Sequence, residues 1–174
     1  MPNVKAIISK HNHKMLNTEK ELPTNSNKNC NCQNENNCPL NGNCMVKSIV
    51  YKTTITNPEG KKEYIGSCET LFKTRYSNHQ HSFRNPKLKS ATALTKEVWK
   101  NKDLNQNYNI TWTLIKQTPA YRCGGKRCNL CLEEKFAILK SSQNTNSLNK
   151  KSEIISRCRH RSKFKLARFK STTI

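Results

Sequence analysis

The sequence predicts a small α/β domain of the α+β kind, and three observations predict it. Residues 46–66 hold two runs rich in β-branched and aromatic residues on either side of a strong turn. Apolar residues then recur at helical spacing before and after a third, alternating run. A length of 174 residues fits one main domain with a modest appendage.

Taken in order, the elements are as follows. Val4, Ile7, Ile8, Met15 and Leu16 lie at roughly helical spacing, so residues 1–16 read as one short helix or as the tail of a larger upstream region. In residues 17–43, ten of the 27 positions are Asn and large apolar side chains are almost absent. Such a segment buries too little surface to offset its ordering entropy without a staple. Cys30, Cys32, Cys38 and Cys44 supply a candidate staple. From Val46 to Ile55 both parities carry apolar residues, which suits a strand packed on both faces of its sheet. Asn57-Pro58-Glu59-Gly60 is the turn, and Lys62 to Gly66 the returning strand.

Residues 69–84 read as a helix, with Leu71, Phe72, Tyr76 and Phe83 near one stripe and Asn85-Pro86 as the stop. A second helix follows Thr92 or Thr95 and carries Leu94, Val98 and Trp99. Ile110, Trp112 and Leu114 alternate with Thr111 and Thr113 as a third strand. Residues 129–141 form a further helix with Leu130, Phe136, Ile138 and Leu139 as its apolar positions. A polar loop leads to a short last helix from Lys151 to Arg157. The expected organisation is a linker or remnant over 1–29, a Cys-rich zinc-finger-like segment over 30–45, a main domain over 46–160 and a basic tail over 161–174.

Lys and Arg total 32 against 11 Asp and Glu, a formal net charge of +21. Charge of this size says nothing about fold but favours a polyanionic partner, DNA or RNA ahead of an acidic membrane surface. No apolar run approaches the roughly 20 residues that span a bilayer, and the apolar stretch at the N-terminus is too short for a secretory signal. An intracellular protein is the expectation. The segment from Arg157 to Lys170 holds seven basic residues in fourteen and no acid. It reads as a frayed terminus, a nuclear localisation patch or a phosphate-binding arm, the last resting on Arg157, Arg159, Arg161, Lys163 and Lys165.

Nine cysteines in a chain without a secretory signal favour metal thiolates over disulfides. Cys128-x-x-Cys131 has zinc-knuckle spacing, and Cys158-x-His160 adds two ligands, which completes a tetrahedral set. Cys123 could replace one of them. Cys30, Cys32, Cys38 and Cys44 form a second set of four, with Cys-x-Cys tighter than the usual ribbon. For both sets the alternative is reduced cysteine packing as a small hydrophobe.

Chemistry concentrates in residues 49–79. Arg75 and His79 are four apart and share a helical face. Tyr64 closes the strand before that helix, and Tyr51 is its neighbour across the hairpin, subject to register. A guanidinium fork grips a phosphate. A phenol acts as a base only when its surroundings lower a pKa near 10. A divalent metal needs a hard carboxylate, and Glu134 is the best candidate among so few acids. Asn149, before the last helix, can cap it or orient a ligand. The plainer alternatives are strand aromatics for the tyrosines, a solvated helix face for Arg75 and His79, a surface acid for Glu134 and a helix cap for Asn149.

Several stretches together resemble a GIY-YIG endonuclease of the kind fused to the reverse transcriptase of Penelope-like retroelements. They are Cys38-Pro39-Leu40-Asn41-Gly42-Asn43-Cys44, Ile49-Val50-Tyr51, Tyr64-Ile65-Gly66, Phe72 to His79, Cys128 to Lys135, Leu148 to Glu153 and Cys158-Arg159-His160. They keep their order over residues 30–160. No single stretch is specific; the ordered set is. The resemblance implies a central three-stranded antiparallel sheet flanked by helices, and hydrolysis of DNA with one Mg²⁺ or Mn²⁺. It implies nicking of target DNA for retroelement integration, with the element's RNA as a further possible partner, and a nuclear location. By position, Tyr51 is the base for water, Tyr64 lies beside the scissile phosphate, Arg75 stabilises the transition state and His79 assists proton handling. Glu134 holds the metal and Asn149 supports the site. The family's first glycine is Ile49 here. The contrasting expectation, from a different functional class, is a zinc-stabilised nucleic-acid-binding module without catalysis.

Overall fold

The computed structural model describes residues 29–121, 127–142 and 145–158, with residues 6, 9 and 10. The chain divides into two compact units. The larger comprises Lys28–Ala120 and Asn129–Arg157, and the other Met1–Asn27, Tyr121–Cys128 and Cys158–Ile174. The Cys-rich segment therefore lies in the same unit as the sheet.

The larger unit is a mixed α/β structure. Its strands are β1 (Ile49–Asn57), β2 (Gly60–Cys68) and β3 (Asn109–Gln117). They form one antiparallel sheet in the order β2-β1-β3, with Asn57 paired to Gly60 across the turn. Gly60 has φ 132°, a conformation that side chains resist. The helices are α1 (Phe72–Arg84), α2 (Ala93–Asp103), α3 (Asn129–Ser141) and α4 (Lys151–Ile155). The order of elements is the one the periodicities predict.

Burial on both faces of β1 follows from helices on both sides of the sheet. Ile49, Tyr51 and Ile55, alternate residues on one face, join Phe72, Phe83, Leu94 and Val98 in the main buried cluster. Full burial of a side chain such as Phe72 is worth about 2 kcal/mol. On the other face Val50 and Ile65 are buried, and α3 packs against β2 and β1. Thr92 caps α2 by accepting from the Thr95 amide, as Ser and Thr do at helix starts. Asn85 stops α1 with extended backbone ahead of Pro86, where a helical conformation would clash with the proline ring.

Four boundaries differ from expectation. β1 starts at Ile49 rather than near Val46, because residues 44–46 turn their carbonyls to α1. The Phe72 amide donates to the Val46 carbonyl at 2.9 Å and the Lys73 amide to the Cys44 carbonyl at 2.8 Å. α1 correspondingly starts at Phe72 rather than at residue 69. β2 runs further in both directions, over Gly60–Cys68, because it pairs with β1 along its whole length. α4 ends at Ile155, two residues early, where Ser156 turns to extended backbone.

Candidate functional site

Strand register decides how the two tyrosines meet. Tyr51 pairs with Gly66, and Tyr64 with Thr53. The phenols are thus diagonal on one face, not directly opposite. The Tyr51 ring crosses the space over Gly66, where an added Cβ would lie 2.6 Å from the hydroxyl and 2.7 Å from Cζ. Glycine at position 66 is therefore a steric requirement of the Tyr51 ring. Ile49 begins the same strand two residues before Tyr51. It is fully buried in the core, and the pairing of β1 with β3 shifts register by one residue between Val50 and Tyr51.

Helical periodicity brings Arg75 and His79 to the same phenol. Arg75 Nε donates to the Tyr51 hydroxyl oxygen at 3.1 Å, and His79 Nε2 lies 2.8 Å from that oxygen. The Arg75 charge also acts on the Tyr64 hydroxyl, so one guanidinium influences both phenols. His79 is 2 % exposed and Tyr51 has no exposed surface, so these residues are not a solvated basic face. Burial, then the Arg75 charge, pushes the His79 pKa down to about 3, which keeps the imidazole neutral. Burial pushes the Tyr51 hydroxyl far above its usual range against the opposing pull of Arg75. A buried phenol whose oxygen already accepts from Arg75 still needs an acceptor for its proton. His79 Nε2 is placed to be that acceptor.

Trp112, assigned from the alternation only to a strand, walls this group. Its ring centroid lies 5.7 Å from Tyr51, 5.4 Å from His79 and 5.4 Å from Tyr76. On the open side Arg75 and His79 border a surface cleft of about 350 Å³ with Asn78, His81, Leu88 and Thr92.

Tyr64 connects this group to the carboxylates of the chain's second half. Burial raises its pKa first; Arg75 opposes that, and the Glu153 and Glu134 charges add to it. Both acids thus act on the Tyr64 hydroxyl. Glu134 is half-buried on α3. Asn149 does not cap α4, where Lys150 is the N-cap residue and no side chain caps. Instead its amide mimics a strand residue on the outer edge of β2. Its Oδ1 accepts from the Ile65 amide at 2.7 Å, and its Nδ2 donates to the Ile65 carbonyl at 2.9 Å. The same Nδ2 donates to Glu153 Oε2 at 2.7 Å. The backbone beside it also pairs with β2: the Glu63 amide donates to the Asn146 carbonyl, and the Leu148 amide to the Glu63 carbonyl. Glu153 escaped the sequence reading, although its place four residues after Asn149 on a short helix was the available signal.

The Cys-rich loop gathers its four thiols. The sulfurs of Cys30, Cys32, Cys38 and Cys44 all lie within 4.8 Å of one another. Cys44 Sγ is 3.6 Å from both Cys32 Sγ and Cys30 Sγ. Tetrahedral zinc with bonds near 2.3 Å separates its sulfurs by about 3.8 Å, so this cluster could bind a zinc ion. Burial pushes the Cys44 thiol up to about 12. For Cys38 burial also pushes upward, but the Leu40 and Gly42 amides and neighbouring thiols bring it down to about 7. Thiolate binding would release protons from both. In the other unit, the sulfurs of Cys128 and Cys158 lie within 4.8 Å of one another. Cys131 belongs to the first turn of α3 in the larger unit.

His160 and Cys123 lie outside the described residues, as do Arg159, Arg161, Lys163 and Lys165. Arg157 is exposed at the end of the larger unit. No helix among the described residues is long and apolar enough to cross a membrane. No family model, curated protein or solved structure matches the chain.

Proposed function

We propose that the chain is a metal-dependent DNA endonuclease of the GIY-YIG type, acting on phosphodiester bonds. The observation that carries the reading is the convergence on one phenol. Arg75 and His79 both reach the Tyr51 hydroxyl, Gly66 makes room for it, and the charges of Arg75, Glu134 and Glu153 act on Tyr64. Such a group of donors, acceptors and acids suits a phosphate, a water and a cation.

The residues divide the work. The Arg75 fork binds the phosphate oxygens and stabilises charge developing on them. Tyr51 is the base for a water beside Arg75, its hydroxyl held in place by the Arg75 Nε donor and the neutral His79 Nε2 acceptor. Tyr64 hydrogen-bonds to the phosphate next to the scissile bond. Glu134 and Glu153 offer the hard oxygens that Mg²⁺ or Mn²⁺ prefers, and Asn149 holds Glu153 in position. When bound, the ion supplies Lewis-acid stabilisation of the phosphoryl and leaving oxygens.

In this reading Cys30, Cys32, Cys38 and Cys44 hold one structural Zn²⁺. The net charge of +21 and the basic residues from Arg157 onward attract the DNA backbone or a retroelement RNA. A nuclear location and a role in retroelement integration belong to the same reading.

The test is nicking of supercoiled plasmid with Mg²⁺ or Mn²⁺. Wild type nicks, and Glu134→Ala and Arg75→Ala do not. Equal activity in Arg75→Ala overturns the site assignment. Binding without nicking supports the second reading, a zinc-stabilised nucleic-acid-binding module, which the charge and the cysteines favour equally.

A further inference from the structure

The first turn of α1 lacks a cap of its own. Residue Leu71 stands at the N-cap and offers no side-chain acceptor, yet the first amides of a helix need partners. They find them in the Cys-rich loop. The Lys73 amide donates to the carbonyl of Cys44, itself one of the four clustered thiols, and the Phe72 amide to that of Val46, two residues on. The Lys73 side chain returns to the same loop, with Nζ 2.6 Å from Asn31 Oδ1 and 3.3 Å from the Asn31 carbonyl, between Cys30 and Cys32. The Met45 amide closes the loop on the Asn29 carbonyl at 2.8 Å. Two residues beyond Lys73 is Arg75, and one turn further His79.

We infer that the four-cysteine loop is the N-terminal cap of α1, and that Zn²⁺ bound there positions Arg75 and His79 against Tyr51. Without the ion the four thiols are tied to one another only by weak sulfur contacts, and the Asn-rich loop keeps only its short backbone turns and the Met45–Asn29 bond across it. With it, the carbonyls of Cys44 and Val46 are fixed where the Lys73 and Phe72 amides meet them. Cys44, Asn31 and Lys73 are then positioning residues that act through α1. The capping claim stands on geometry alone. Its consequence for cleavage rests on the endonuclease reading.

Amide hydrogen exchange on the full chain separates the two claims, with zinc stripped by a chelator under reducing conditions. Zinc removal should lower protection of the Phe72 and Lys73 amides at least tenfold while the paired amides of β1 and β3 keep theirs. Added Zn²⁺ or Cd²⁺ should restore it in the wild type but not in Cys32→Ser, which leaves the second cysteine set intact. Lys73→Met should lower the same protection without altering the thiolate absorption of the Cd²⁺ form. Plasmid nicking should fall in kcat with KM for DNA nearly unchanged. Unchanged protection at Phe72 and Lys73 overturns the inference. So does equal loss across β1 and β3, since the metal would then hold the whole fold and not this helix. A chain that shows the exchange effect but never nicks retains the capping inference and loses the endonuclease reading alone.

Discussion

Helices α1 and α3 have the same length and opposite habits. α1 reads Phe-Lys-Thr-Arg-Tyr-Ser-Asn-His-Gln-His-Ser-Phe-Arg, nearly all polar, yet it buries Phe72, His79, Ser82 and Phe83. α3 reads Asn-Leu-Cys-Leu-Glu-Glu-Lys-Phe-Ala-Ile-Leu-Lys-Ser, richer in apolar residues. Even so, it leaves Leu132, Phe136 and Leu139 about half exposed, at 53 %, 54 % and 48 %. Composition therefore did not choose which helix goes inside. α1 is drawn in because its polar groups find polar partners there. His79 meets Tyr51, and Ser82 Oγ donates to the His79 carbonyl and pairs with Thr95 Oγ1. A buried polar group is tolerable only on those terms. α3 instead leaves much of its apolar surface open to solvent.

The contrast is broken first at the chemistry. Arg75→Ala on α1 and Glu134→Ala on α3 should each reduce plasmid nicking by about 10³-fold, the scale for losing one aimed electrostatic group. If only the α1 change matters, α3 carries no part of the site.

Acid should act through α1 and not α3. His79 has a folded pKa near 3 and an unfolded value near 6.5. Between those values the unfolded chain binds the extra proton. Stability is therefore full above about pH 6.5 and is lost by a few kcal/mol as pH falls towards 3. His79→Gln should flatten melting temperature against pH in that window; an unchanged slope would locate the acid sensitivity elsewhere.

Smaller effects follow from packing. Gly66→Ala pushes a methyl into the Tyr51 ring and should cost about 1–3 kcal/mol in chemical denaturation. Gly66→Ala combined with Tyr51→Phe should recover little, because Cζ is as close as the hydroxyl. On α3, Phe136→Ser should change stability by less than about 0.5 kcal/mol, losing mainly the contact with Lys140, whose Nζ sits 4.7 Å from its ring centroid. A large loss there would mean that α3 is not the exposed partner of the pair.

Much of this arrangement could be read from local signals. The turn at Asn57 to Gly60 and the stop at Asn85-Pro86 depend on backbone rules that act within a few residues. The shared face of Arg75 and His79 follows from helical spacing, and the four-thiol cluster from cysteine count and spacing. What could not be read depends on register and on distance in the chain. Only the pairing of Tyr51 with Gly66 makes the two tyrosines diagonal. Asn149 reaches Ile65 across 84 positions, which no period announces, and Glu153 becomes visible only once Asn149 is on the strand edge. The Cys-rich loop looked like a separate finger because its role as a helix cap is performed by carbonyls, which every residue has.

The segment from Asn146 to Asn149 has one more consequence, in how the molecule meets copies of itself. β2 is an edge strand of its sheet, and an uncovered edge invites another chain to add on. Here the hydrogen-bonding groups of Glu63 and Ile65 are already occupied by Asn146, Leu148 and Asn149. Association by strand addition is barred on the side of the sheet that holds Tyr64. It is left to β3, whose outer side pairs with no strand of the sheet among the described residues and whose one charged side chain, Lys116, is paired with Glu133.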